Sequence, residues 1–145
     1  LLLISGMIMR GEKIDTRRGL LWGAGGFIAF VLAPSLGLPP ELPGMVASDI
    51  LARQSWWITA AVASIVGLWG LVFGEKIHYK ILAVIIAITP HLFGAPHPEV
   101  LSTNGVPPEL AAQFVTVSIA VGGLFWALIG GFSGYFYERL ERTNN

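Results

Sequence analysis

Cysteine is missing from this chain, which excludes disulfides, thiolate metal sites and thiol catalysis. Charge is scarce as well: Asp, Glu, Lys and Arg make up 12% of positions, about half the share of a typical soluble domain. The nine basic and nine acidic residues cancel, so there is no basic face with which to displace counterions, and nucleic acid is not an expected partner. The sequence also contains no His-Glu-x-x-His, no Gly-x-Ser-x-Gly and no phosphate-binding loop. We therefore read it as a non-enzyme with no resident cofactor and no ATP-driven step of its own.

What fills the chain is apolar. Uncharged blocks run over Gly19–Leu38, Ser55–Gly74, Ile81–Pro98 and Leu110–Tyr137. Each approaches the roughly 20 residues that carry a helix across about 30 Å of hydrocarbon. A charge at mid-bilayer costs ~2.5–3.5 kcal/mol, and none of the blocks contains one. The fold class expected is an all-α integral membrane protein in contact with the lipid bilayer. Its helices are placed at about 19–38, 55–74, 81–96 and 109–137, within a single membrane domain over 10–145. Leu1–Met9 (residues 1–9) is too short to span and has no basic n-region, so it reads as the tail of a preceding transmembrane helix.

Basic residues orient the helices. Arg10, Lys13, Arg17, Arg18, Lys76, Lys80, Arg139 and Arg142 fall on one side, and only Arg53 falls on the other. The positive-inside rule turns the connections after the first and third helices outward.

Those two outward ends repeat each other. The first reads "PSLGLPPEL" from Pro34 and the second "PHLFGAPHPEV" from Pro90. The next helices then open with "LARQ" at Leu51–Gln54 and "LAAQ" at Leu110–Gln113, each preceded by an acid, Asp49 or Glu109. The four helices thus form two parallel helical-hairpin repeats, and transporters place sites between such repeats at helices interrupted by Pro or Gly. Pro90 has no N–H, so a carbonyl one turn back loses its partner, which lipid tolerates only beside protein or a polar cavity.

Candidate ligands cluster at these ends. His91 follows Pro90, and its imidazole either binds a cation or satisfies the freed carbonyl, a task Ser35 would perform in the first copy. His97 stands between two prolines, two residues before Glu99. Glu41 and Glu99 hold equivalent positions and would make the vestibule anionic. Glu109 either joins them or serves the start of the fourth helix. Glu109, Gln113 and Thr116 share one helix face, expected to look inward. Asp49 and Arg53, at i, i+4, are expected to pair. His78 reads as ordinary surface, and Trp56, Trp57, Tyr135 and Tyr137 as an aromatic belt. Gly70-x-x-x-Gly74 and Gly130-x-x-x-Gly134 allow close helix contact. Imidazole, carboxylate and amide donors suit a divalent first-row ion without selecting one.

The segments "RRGLLWG" (Arg17–Gly23), "LGLPPELPGM" (Leu36–Met45), "ARQSWW" (Ala52–Trp57), "PHLFGAPHP" (Pro90–Pro98) and "VPPELAAQF" (Val106–Phe114) together resemble the CbtA family of predicted cobalt transporter subunits. The resemblance runs from Arg17 to Tyr137. It implies cobalt uptake for cobalamin synthesis across the bacterial cytoplasmic (inner) membrane, beside a small single-helix partner subunit bearing histidines, and leaves room for a homo-oligomer. The family's histidines fall on His91 and His97, and its Pro-Glu-Leu segments on Glu41 and Glu109. The expected metal-site residues are thus His91, His97, Glu99, Glu41 and Glu109, with cobalt as cargo. The competing expectation is a scaffold subunit that transports nothing itself.

Overall fold

The computed structural model describes residues 14–43, 45, 49–97 and 105–144. Four helices account for the apolar blocks: α1 over Thr16–Gly37, α2 over Ile50–Phe73, α3 over Ile77–Phe93 and α4 over Pro108–Asn144. Three are long and apolar enough to cross a membrane, and α3, at 17 residues, is a shorter apolar helix. The expected tail of a preceding helix at Leu1–Met9 lies outside the described residues.

Every helix start precedes the first residue of its apolar block, and at α1 and α2 a capping aspartate extends the helix beyond its hydrophobic pattern. Asp15 accepts the Arg18 N–H at 2.7 Å and opens α1. Asp49 accepts the Ala52 N–H at 2.9 Å and starts α2 at Ile50, five residues before the expected Ser55. Pro108 opens α4, where its missing N–H costs nothing. At the other end α4 runs to Asn144 instead of 137, supported by an ion pair between Glu138 and Arg142 one turn apart.

The prolines act as expected in α1 and less abruptly in α3. Pro34 offers no N–H to the carbonyl of Phe30, and the helix widens into a π turn over Ile28–Leu32 just before it. Ser35 Oγ donates to the Val31 carbonyl at 2.6 Å. Pro90 does not end α3. The helix continues to Phe93 and stops at Gly94, whose φ of 79° suits glycine.

The described chain forms two compact units. One joins the chain up to Phe27 with the chain from Val121 onward; the other is Ile28–Ala120. In the first, α1 and α4 meet backbone to backbone. A Cβ on Gly19 would lie 2.9 Å from the Cα of Gly134, and one on Gly130 would lie 2.9 Å from the Cα of Gly23. The Gly130-x-x-x-Gly134 motif is thus a packing seam, and its partner, Gly19-x-x-x-Gly23, is the same motif on α1. In the second unit, α2 packs on α3. Cβ atoms on Gly67 and Gly70 would fall 2.7 Å from the Cβ atoms of Ala87 and Ala83. Gly74, expected to pair with Gly70 in the seam, instead caps α2, its N–H bonding to the Gly70 carbonyl at 2.9 Å.

Residue size is distributed inside out. Ala29, Ala60, Ala61 and Ala83 are buried, with Ala60 at 0% exposure, whereas Val72 and Leu124 are 61% and 62% exposed. Water would drive the large aliphatic side chains inward. Lipid does not, and close backbone packing selects small residues for the interior. The protein is a multi-pass membrane protein.

The seam makes two glycines respond oppositely to the same change. Gly130→Ala forces backbone apart and is expected to destabilise by ~1–3 kcal/mol. Gly25→Ala, where an added Cβ meets nothing within 4 Å, is expected to stabilise by ~0.5–1 kcal/mol. Thermal unfolding in detergent micelles checks both, and two shifts of the same sign would count against this packing.

Candidate functional site

The two proline-rich repeat copies meet in the second unit. A cavity of about 270 Å³ is lined by Leu36 and Gly37 from the first copy, by His91, Gly94, Ala95 and His97 from the second, and by Trp56 of α2. Gly37 permits the approach. A Cβ there would lie 3.0 Å from the Cβ of Ala95 and 2.6 Å from Cζ2 of Trp56. The chain beyond each proline thus builds the site. The helix stops, the chain turns, and small residues let the ends come together.

His91 lies in the last turn of α3, half-buried, with its ring edge-on to the Trp56 indole at 5.6 Å between centroids. His97 is exposed on the segment after Gly94. The turn at Gly94 thus brings two histidines, six positions apart, to the lining of one cavity. A neutral imidazole offers one nitrogen lone pair to a cation, and two such donors suit an ion that keeps part of its water shell.

Trp56 belongs to this cavity and not only to an aromatic belt. Its Nε1–H is buried and has no hydrogen-bond partner among the described residues. Such a donor is uncommon in a folded protein, because the lost hydration costs about 1–3 kcal/mol. The neighbouring Trp57 faces elsewhere, with Phe30 at 6.2 Å, along a second cavity of about 540 Å³ between α1 and α2. The sequence carried a signal for Trp56 in the glycine at position 37, but only the fold joins them.

The carboxylates go elsewhere. Glu41 Oε1 accepts a hydrogen bond from Arg53 Nη1 at 2.6 Å. This corrects the expected Asp49–Arg53 pair. Asp49 is engaged at the N-terminus of α2, and the guanidinium reaches across twelve positions instead. Glu109 is exposed in the first turn of α4, where its charge favours the helix N-terminus. Neither lines the histidine cavity. Glu99 lies outside the described residues. Among the described residues, no three His, Asp or Glu side chains gather closely enough to hold a metal ion. The α4 face of Glu109, Gln113 and Thr116, expected to look inward, is exposed, and the Thr116 hydroxyl donates to its own helix at Ala112. His78 is exposed beside Tyr79, as expected of surface.

No curated protein sequence and no solved structure matches the chain. A family model does, that of the probable cobalt transporter subunit CbtA, and the match covers residues 1–138. With four apolar helices in the fold and a match over nearly its whole length, the chain belongs to the CbtA family of probable cobalt transporter subunits.

Proposed function

We propose that the chain is the membrane subunit through which a divalent cobalt ion is taken up, and that the cavity between the two repeat copies captures the ion. The observation that supports this most directly is that His91 and His97 line the same cavity. Both imidazoles would bind through neutral nitrogen. Glu99, two residues beyond His97 in sequence, would add a carboxylate, and Glu109 would add negative charge on the same outer side. The donor types suit cobalt and nickel alike, and the family favours cobalt.

The distribution of Lys and Arg supports a cavity that opens outward, with the ends of α1 and α3 on the external face of the bacterial inner membrane. An ion captured there would move down the membrane potential, which contributes ~4.6 kcal/mol per 100 mV for a doubly charged ion. Partial coordination serves this role, since a transported ion must leave as well as bind. A small one-helix subunit with a histidine-bearing segment would complete the complex, and the cobalt would supply cobalamin synthesis.

The test is cobalt accumulation from trace external metal in cells carrying the full-length protein and its partner subunit. His91→Ala and His97→Ala are each expected to lower uptake about tenfold, and the double variant to abolish it. Normal uptake in the double variant would remove the histidines from the mechanism and favour a scaffold role.

A second variant probes the cavity without touching a ligand. Gly37→Val places side-chain atoms where the Trp56 ring now lies, so uptake is expected to fall with both imidazoles intact. Retained transport in that variant would mean that the cavity is not on the ion's path.

A further inference from the structure

One polar contact of the second unit lies outside the histidine cavity, with its arginine lining the second cavity instead. Arg53 Nη1 stands 2.6 Å from Glu41 Oε1, with only 23% and 25% of the two side chains exposed. Glu41 comes four positions after Gly37, and Arg53 precedes Trp56 by three, about one turn along α2, where it lines the second cavity with Trp57. The chain leaving α1 therefore touches the start of α2 at two points, Gly37 against the Trp56 ring and Glu41 against Arg53. These two contacts clamp the first turns of α2.

Trp56 requires such a clamp. With its N–H buried and unpartnered among the described residues, the ring would gain a hydrogen bond by turning toward water. Held where it is, it forms the surface against which the His91 ring rests. The second repeat copy does not reproduce the device. Ala112 stands in "LAAQ" where Arg53 stands in "LARQ", and His91 stands where the first copy has Ser35. One copy carries the clamp and the other the imidazoles.

We propose that Glu41 and Arg53 are a positioning pair that fixes Trp56 and thereby presents His91, and that Glu41 is not a cation ligand. A carboxylate in contact with a guanidinium has its field largely cancelled, so it adds little attraction for an incoming ion. The proposal rests on the histidine cavity being the capture site, and its test separates the two ideas.

Glu41→Gln, Arg53→Gln and the exchange Glu41→Arg with Arg53→Glu are compared in the full-length protein with its partner subunit. Two quantities are read: the KM and maximal rate of cobalt accumulation, and the emission of Trp56 in a background where Trp22, Trp57, Trp69 and Trp126 are Phe. Each single variant is expected to raise KM about fivefold with little change in maximal rate, and to shift Trp56 emission to the red. The exchange is expected to restore both. An exchange variant that transports as poorly as Glu41→Gln, or worse, overturns the proposal, because a positive charge at position 41 abolishes a ligand but keeps a pair. A lower KM in Arg53→Gln also overturns it, marking Glu41 as a ligand that Arg53 suppresses. Unchanged emission in both single variants does the same.

Emission is read without cobalt. If the histidine variants transport normally while emission tracks the pair, the capture site fails and the clamp stands. Should the background with one tryptophan not fold, the difference spectrum between the native protein and its Trp56→Phe variant supplies the same reading in each pairing background.

Discussion

Everything in this molecule depends on how closely two helix backbones can approach in lipid. There the hydrophobic effect gives helices no reason to associate, and packing contact must do so. Glycine and alanine satisfy that constraint, and they line both seams: Gly19 and Gly23 against Gly130 and Gly134 in one unit, Gly67 and Gly70 against Ala87 and Ala83 in the other. The second seam has a consequence for the site. Moving from the turn between α2 and α3 toward their far ends, the facing residues change from glycine and alanine to Trp56 and His91. Small pairs hold the helices together at one end, and a pair of large rings requires more room at the other. Gly37, Gly94 and Ala95 then line the cavity beside those rings.

The prolines then determine what kind of surface that cavity can have. A helix that keeps all its backbone bonds presents lipid with nothing but side chains. Pro34 and Pro90 each remove one such bond within a turn or so of a helix end, and the chain adapts differently in each case. Before Pro34 the helix widens into a π turn, and the Ser35 hydroxyl bonds back to Val31. Beside Pro90 the Thr89 hydroxyl bonds back to Ile85, and the helix continues one more turn to Gly94. That extra turn matters, since it keeps His91 on a helix while His97 rides on the segment beyond. A histidine fixed on a helix and one on a segment without regular structure line the same cavity.

The helices were legible in the sequence because they are written in local composition. Twenty apolar residues without a charge have few other uses, and two proline motifs match in order even though the second carries two insertions. The boundaries were less legible. Residues 50–54 and 138–144 are helical with the help of capping and charge pairing, which a hydropathy pattern does not register. The partner of Arg53 was misread for a related reason. The i, i+4 rule ranks Asp49 first, but a carboxylate already bonded to a helix N-terminus is not available, and Glu41 arrives only through the turn that folds the chain back. Trp56 was hidden by sufficiency: a tryptophan near a membrane interface needs no further explanation until Gly37 is seen pressed against its ring.

The repeat itself explains why the site should be lopsided. Two identical copies facing each other would bring equal donors from both sides and close around an ion, which favours retention over passage. Here the copies have diverged in opposite directions. The first keeps Ser35 and pairs its glutamate with an arginine, so its polar groups are consumed by its own fold. The second replaces that serine with His91, adds His97 and has Ala112 in place of the arginine, so its polar groups are left facing the cavity. On the proposed role, an ion would meet two histidines among an indole and small apolar residues. Such a lining strips part of a hydration shell but offers few bonds in return, which favours brief occupancy over tight binding. For a transport subunit, that balance lets the ion be captured and still be released.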